Sequence, residues 1–183
     1  MPTVRRLERG AFSEEDLRGL KSWLEVAYAD PAGSWRDDMW TEIGPGPHFL
    51  IEQDGDLVAH ACLVFGQVRT GDLKLEAAFV ENVATRVERR REGLATAVMR
   101  AAQAEIMNGA DLGVLGTGTP ELYEPLGWER WRGPTSVRES DGTTTQTPEE
   151  DGFVHVLRTP KTPANLDLRA PIERDRRDAD EPW

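Results

Sequence analysis

Residues 80–100, VENVATRVERRREGLATAVMR, hold the densest positive cluster of an otherwise acidic chain. Arg89, Arg90 and Arg91 stand directly before Glu92, Gly93, Leu94 and Ala95. Upstream, residues 73–85 read as a long strand. Downstream, Gly93 to Met107 reads as an Ala-rich helix with apolar residues at 94, 98, 101, 102 and 106. A glycine at such a strand-to-helix turn lets a ligand approach the backbone. The N–H groups of the first helical turn and the helix dipole together attract phosphate or pyrophosphate. The stretch is neither a G-x-x-x-x-G-K-[ST] loop nor a G-x-G-x-x-G turn. Three arginines ahead of a helix also suit a merely solvated face, so the cluster by itself leaves both readings open.

Composition narrows the partners. The 183-residue chain has a net charge of −11, which opposes long-range attraction to nucleic acid. The same charge attracts a polycation, and it equally serves solubility. One cysteine, Cys62, excludes an internal disulfide framework and a multi-Cys zinc site. Its setting, HACLVF, predicts a buried structural thiol. The three histidines, His48, His60 and His155, are scattered and imply no metal. No window reaches the ~20 apolar residues that span a bilayer. The N-terminus lacks a signal-peptide core, so the sequence reads as cytoplasmic.

Residues 3–8 predict a short strand. Ser13, with Asp16 three positions on and Leu17, Leu20, Leu24 and Ala27 behind it, predicts a capped helix over 13–28. A second short helix is expected over 35–43, ended by GPGP. Two strands then follow around the QDGD turn, and a third follows TGD. After the 93–107 helix come a buried strand over 111–115, a short helix in PELYEPLG, and a final antiparallel pair, WERWRGPTSV with FVHVLR. Four prolines punctuate the last 25 residues, which read as an arm. The expected fold is α/β (α+β), a mixed sheet of about six or seven strands flanked by helices on both faces. The expected organisation is a domain over 1–158 and an arm over 159–183.

Arg90-x-x-Gly93-x-Ala95 after a strand, followed by another strand and LYEPLGW, resembles the GCN5-related N-acetyltransferase superfamily. FVENVAT, LYEPLGWERWRGPTSV, TPEEDG with FVHVL, and an acidic-x-Trp ending together resemble its aminoglycoside 2′-N-acetyltransferases. The resemblance covers residues 48–183 well and the first 45 loosely. It implies transfer of an acetyl group from acetyl-CoA to the 2′-amino group of an aminoglycoside, conferring resistance, by a homodimer without a metal.

The resemblance also implies roles. Val83, Ala84 and Thr85 meet the pantetheine, and the Val83 N–H is the expected oxyanion donor. Arg90, Arg91, Glu92, Gly93, Leu94 and Ala95 form the pyrophosphate turn. Glu81 is the candidate base through a water, or else an ammonium anchor, and Tyr123 is the candidate acid. Asp37 or Asp38, Glu81, Asn82, Gly116, Thr117, Glu149, Glu150, Glu181 and Trp183 are the expected acceptor contacts. Where the family usually has Cys-Asp-Trp-Arg near its end, this chain has Arg174-Asp175-Arg176-Arg177, and Glu181 replaces an Asp. These departures fall on the acceptor side. They keep open a kasugamycin-like substrate, another amine such as a polyamine or peptide N-terminus, and a non-catalytic acyl-CoA sensor.

Overall fold

A computed structural model describes residues 2–28, 46–176 and 183. Among them are ten strands and three α-helices: β1 (Arg5–Glu8), α1 (Glu14–Ala27), β2 (Pro47–Gln53), β3 (Asp56–Thr70), β4 (Leu73–Thr85), α2 (Leu94–Gly109), β5 (Leu112–Gly116), α3 (Pro120–Tyr123), β6 (Glu129–Arg130), β7 (Thr135–Arg138), β8 (Thr144–Gln146), β9 (Val154–Arg158) and β10 (Ile172–Asp175). The architecture is the mixed α/β one expected. The number passes seven because WERWRGPTSV divides into β6 and β7 and because β8 and β10 form as well. The helix expected over 35–43 lies outside the described residues. No helix among the described residues is long and apolar enough to cross a membrane.

The chain divides into two compact units, Met1–Val64 with Val80–Gln103, and Phe65–Phe79 with Ala104–Trp183. In the first unit β1, β2 and β3 form an antiparallel run. The β2–β3 turn places Asp54 at φ 54° and Gly55 at φ 86°, the left-handed pair that a two-residue hairpin needs. The predicted capping box at α1 is present: Asp16 N–H donates to Ser13 Oγ, and Ser13 N–H donates to the Asp16 carboxylate. That cap matters because α1 buries Leu20 and Leu24 against Cys62 and Ala84. Cys62 is 1% exposed, the buried thiol its setting predicts.

The second unit carries the strand order β6-β9-β5-β4-β3-β10-β7-β8. β4 and β5 are parallel, β5–β9 and β6–β9 antiparallel. The expected pairing of WERWRGPTSV with FVHVLR holds at Glu129 and Arg130, its second and third residues, and in the Trp131 N–H bond to Val154 O. The rest, β7, pairs with β8 from the polar segment and with β10 from the arm. Gly133-Pro134 breaks the run. A Cβ on Gly133 would sit 2.0 Å from the Ala170 carbonyl oxygen, so only glycine fits. Leu168 O accepts from the N–H groups of Arg132 and Gly133, while Ala170 O accepts from Trp131 Nε1. WRGPTSV is thus the dock on which residues 166–172 seat, and β10 follows from that docking.

Candidate active site

In the first unit the end of β4 departs from regular strand geometry. Asn82 has φ 53°, rare for a residue with a side chain. The three carbonyls around it are held by side chains. Cys62 Sγ lies 3.4 Å from Glu81 O, His60 Nδ1 2.8 Å from Asn82 O, and Tyr28 donates its hydroxyl to Val83 O at 2.9 Å. Behind His60 stands His48, its Nδ1 3.0 Å from His60 Nε2. Because a carbonyl only accepts, His60 carries its proton on Nδ1 and accepts at Nε2, and His48 donates from Nδ1. Both rings are fully buried. Burial first, then the neighbouring His60 and Arg9, push His48 down to about 3. Burial also brings His60 down to about 4, opposed by its bond to Asn82. The two histidines that look scattered in the sequence therefore form one neutral chain on paired strands, aimed at Asn82. With Cys62 they also place three ligand-type atoms within 4.8 Å of one another, although both His60 nitrogens are already hydrogen-bonded.

β4 continues into the turn. Thr85 Oγ1 is buried with no hydrogen-bond partner among the described residues, so it is available to a ligand lying along the strand. Arg90, Arg91, Glu92 and Gly93 are exposed, with Arg91 at φ 68° and Gly93 at φ 76°. No atom lies within 4 Å of where a Gly93 Cβ would be, so its backbone conformation, and not crowding, selects glycine. Leu94, Ala95 and Thr96 open α2, and their N–H groups have no intrahelical acceptor. Arg89 is more than a solvated charge: its guanidinium grips the Glu92 carboxylate at 2.8 and 2.7 Å. That pair neutralises the acid of the turn and leaves Arg90 and Arg91 as its positive charges.

In the second unit Tyr123 ends α3 at 7% exposure, and burial pushes its hydroxyl up to about 12. Glu149 and Glu150 lie in a short 3-10 turn after Thr147. Thr147 Oγ1 donates to Thr135 Oγ1, and Thr135 N–H is held by Asp151. Trp183 Nε1 donates to Thr147 Oγ1 at 3.2 Å, and a Cβ on Gly116 would lie 3.3 Å from Trp183 O. Gly116, Trp183 and the acidic turn are thereby brought together. Thr117 follows, its N–H on Phe153 O. Asp37, Asp38 and Glu181 lie outside the described residues. The sequence reading missed Tyr28, His48, His60, Thr147 and Arg174. For the histidines an audible signal existed: both fall within predicted strands that a short turn must pair.

Residues 9–131 match an acetyltransferase (GNAT) domain family. An aminoglycoside 2′-N-acetyltransferase of Mycolicibacterium fortuitum is 35% identical over 182 residues, 97% of this chain and 91% of that one. Among solved structures, the GNAT family N-acetyltransferase YhbS from Escherichia coli, in complex with CoA, superposes with a TM-score of 0.63 at 18% identity, covering 95% of this chain and 92% of that one. A GCN5-related N-acetyltransferase from Kribbella flavida gives a TM-score of 0.58 at 19% identity over 73% of this chain. The chain spans about a third of the length of that protein, 34%.

Proposed function

The chain belongs to the GNAT acetyltransferase family, and from that premise we propose that it acetylates the 2′-amino group of an aminoglycoside with acetyl-CoA as cosubstrate. The reading rests on identity to one such enzyme along nearly the whole chain. Acetyl-CoA supplies an activated acyl group and a thiolate leaving group. The chain's own residues do the remainder. Thr85 and the backbone of Val83–Thr85 align the pantetheine arm. The N–H groups opening α2, with Arg90 and Arg91, receive the pyrophosphate. The Val83 N–H stabilises negative charge developing on the carbonyl oxygen. The clamp on the Glu81, Asn82 and Val83 carbonyls holds that donor in place.

Glu81, through a water, takes the proton that the acceptor ammonium must lose before attack. Tyr123, pushed up to about 12, stays protonated at neutral pH and donates a hydrogen bond to the departing thiolate. An alkyl thiol near about 8.5 is the stronger acid, so complete proton transfer from Tyr123 runs uphill. Glu149, Glu150, Gly116, Thr117 and Trp183, with Asp37 or Asp38 and Glu181, receive the acceptor. The same reading makes the protein a homodimeric cytoplasmic enzyme of antibiotic resistance.

Thiol release from acetyl-CoA, measured with a panel of aminoglycosides and simple amines, tests the activity, and NMR of the product maps the acetylated nitrogen. Turnover with a 2′-amino aminoglycoside and acetylation at that nitrogen are expected. No thiol release with any aminoglycoside, or acetylation elsewhere on the ring, would sink the reading.

A further inference from the structure

Arg174 in β10 is 1% exposed, yet neither Nη1 nor Nη2 has a hydrogen-bond partner among the described residues. Its Nε makes one long contact, 3.4 Å, to Asp175 O. The acids beside it in sequence do not help. Along β10 burial alternates, so Glu173 and Asp175 face the other way. There they engage Arg69 and Arg138. Arg174's cross-strand partners are Val68 and Val137, both fully buried. Its guanidinium carbon lies 4.7 Å from the Phe79 ring centre and 6.0 Å from that of Trp183.

Stacked rings satisfy the face of a guanidinium but not its N–H groups, which lie in its plane. A buried cation in that state is unfavourable for folding, so a ligand is the simplest reason to keep it. The partner that fits is planar, anionic and offers two acceptors: a carboxylate, bound bidentate by Nη1 and Nη2. Among the described side chains named around the guanidinium, Val68, Val137 and Phe79 are buried and Trp183 is half-buried, so the ligand approaches on the Trp183 side. Trp183 also touches Thr147, which precedes the acidic turn, and Gly116, which the proposed function assigns to the acceptor surface.

We propose that Arg174 is a specificity residue for the acceptor: the amine substrate carries a carboxylate, which Arg174 receives while the acidic turn receives the ammonium groups. This rests on the assignment of the acceptor surface under the proposed function. It turns the preference from a pure polycation to an amine that also bears an anion.

Two arms test it. In 15N spectra of the full chain, the Arg Nε–H resonance that disappears in Arg174→Lys should shift saturably as sodium acetate is added. No shift overturns the proposal, and this arm does not depend on turnover. In the second arm, muramic acid and glucosamine, both 2-amino sugars but only the first with a carboxylate, compete as acceptors in the thiol-release assay and as ligands in the 15N titration. Muramic acid should be favoured about tenfold or more. Arg174→Met should abolish the preference while leaving the thermal transition at least as high. An acetate shift without preference for muramic acid in either measurement assigns the site to a free anion and overturns its role in the acceptor. Loss of the aminoglycoside reading alone, with the muramic acid preference intact, leaves Arg174's role standing.

Discussion

His60 Nδ1 lies 2.8 Å from the carbonyl oxygen of Asn82, so a buried imidazole holds the one residue of β4 that adopts a left-handed conformation. The bond spans 22 residues of sequence and joins β3 to the end of β4. It ties the orientation of the peptide between Asn82 and Val83, and hence the Val83 N–H, to a side chain outside the reacting groups.

Removing that hold should loosen the oxyanion donor proposed at Val83. His60→Ala is expected to lower kcat about tenfold to a hundredfold with a smaller change in the KM for acetyl-CoA, less than direct loss of an oxyanion donor. His60→Gln, which restores an N–H donor, should recover part of the loss. Steady-state kinetics of both variants, with circular dichroism to verify folding, decide the point. Equal kcat in His60→Ala and wild type would remove the positioning role.

Stability should depend on pH through the same pair. Both histidines titrate near 6.5 when unfolded and are depressed in the folded chain to about 4 and about 3. Between those limits the unfolded state binds more protons, so folding stability is complete above about pH 6.5 and declines as pH falls towards 4. Each histidine that charges contributes a slope of up to about 1.4 kcal/mol per pH unit. Urea unfolding at pH 7, 6 and 5 measures the slope, and His48→Phe with His60→Gln should flatten it. A wild-type curve level from pH 7 to 5 would contradict the buried neutral pair.

Tyr123→Phe removes the hydroxyl but keeps the buried ring. Its expected effect is a fall in kcat of about a hundredfold with an unshifted thermal midpoint. Because burial holds the hydroxyl near 12, the wild-type rate should show no alkaline limb from this group below about pH 11. A limb between pH 9 and 10 that vanishes in Tyr123→Phe would mean that the hydroxyl is not buried during turnover.

Gly133→Ala drives a methyl group into Ala170 O, 2.0 Å from its ideal position, and backbone cannot yield as a side-chain tip can. A loss of about 3 kcal/mol is expected, at the upper end of overpacking penalties. The damage should centre on residues 166–176, visible as faster hydrogen exchange at the amides of Ile172 and Arg176, which donate to Pro134 and Arg138 carbonyls. Unchanged exchange there would show that the dock tolerates the methyl.

Local chemistry was legible in the chain itself. The Ser13 cap, the Asp54-Gly55 turn, the turn-bounded apolar runs of β3 and β4, and the glycine that opens α2 depend on neighbours within a few residues, and each carries its own signal. The motifs around Gly93 and LYEPLGW pointed to the acetyltransferase family for the same reason, because a turn's backbone conformation is written in adjacent residues. Relations between distant residues were not legible. The sequence read WERWRGPTSV as one strand, because the carbonyl of Ala170 that forces Gly133 is 37 positions away. It read His48 and His60 as scattered, because only strand pairing makes them one hydrogen-bonded chain. It recorded Arg174 merely as a departure from a familiar ending. Packing decided that its charge is buried between Phe79 and Trp183, because burial and desolvation belong to the folded neighbourhood rather than to the residue.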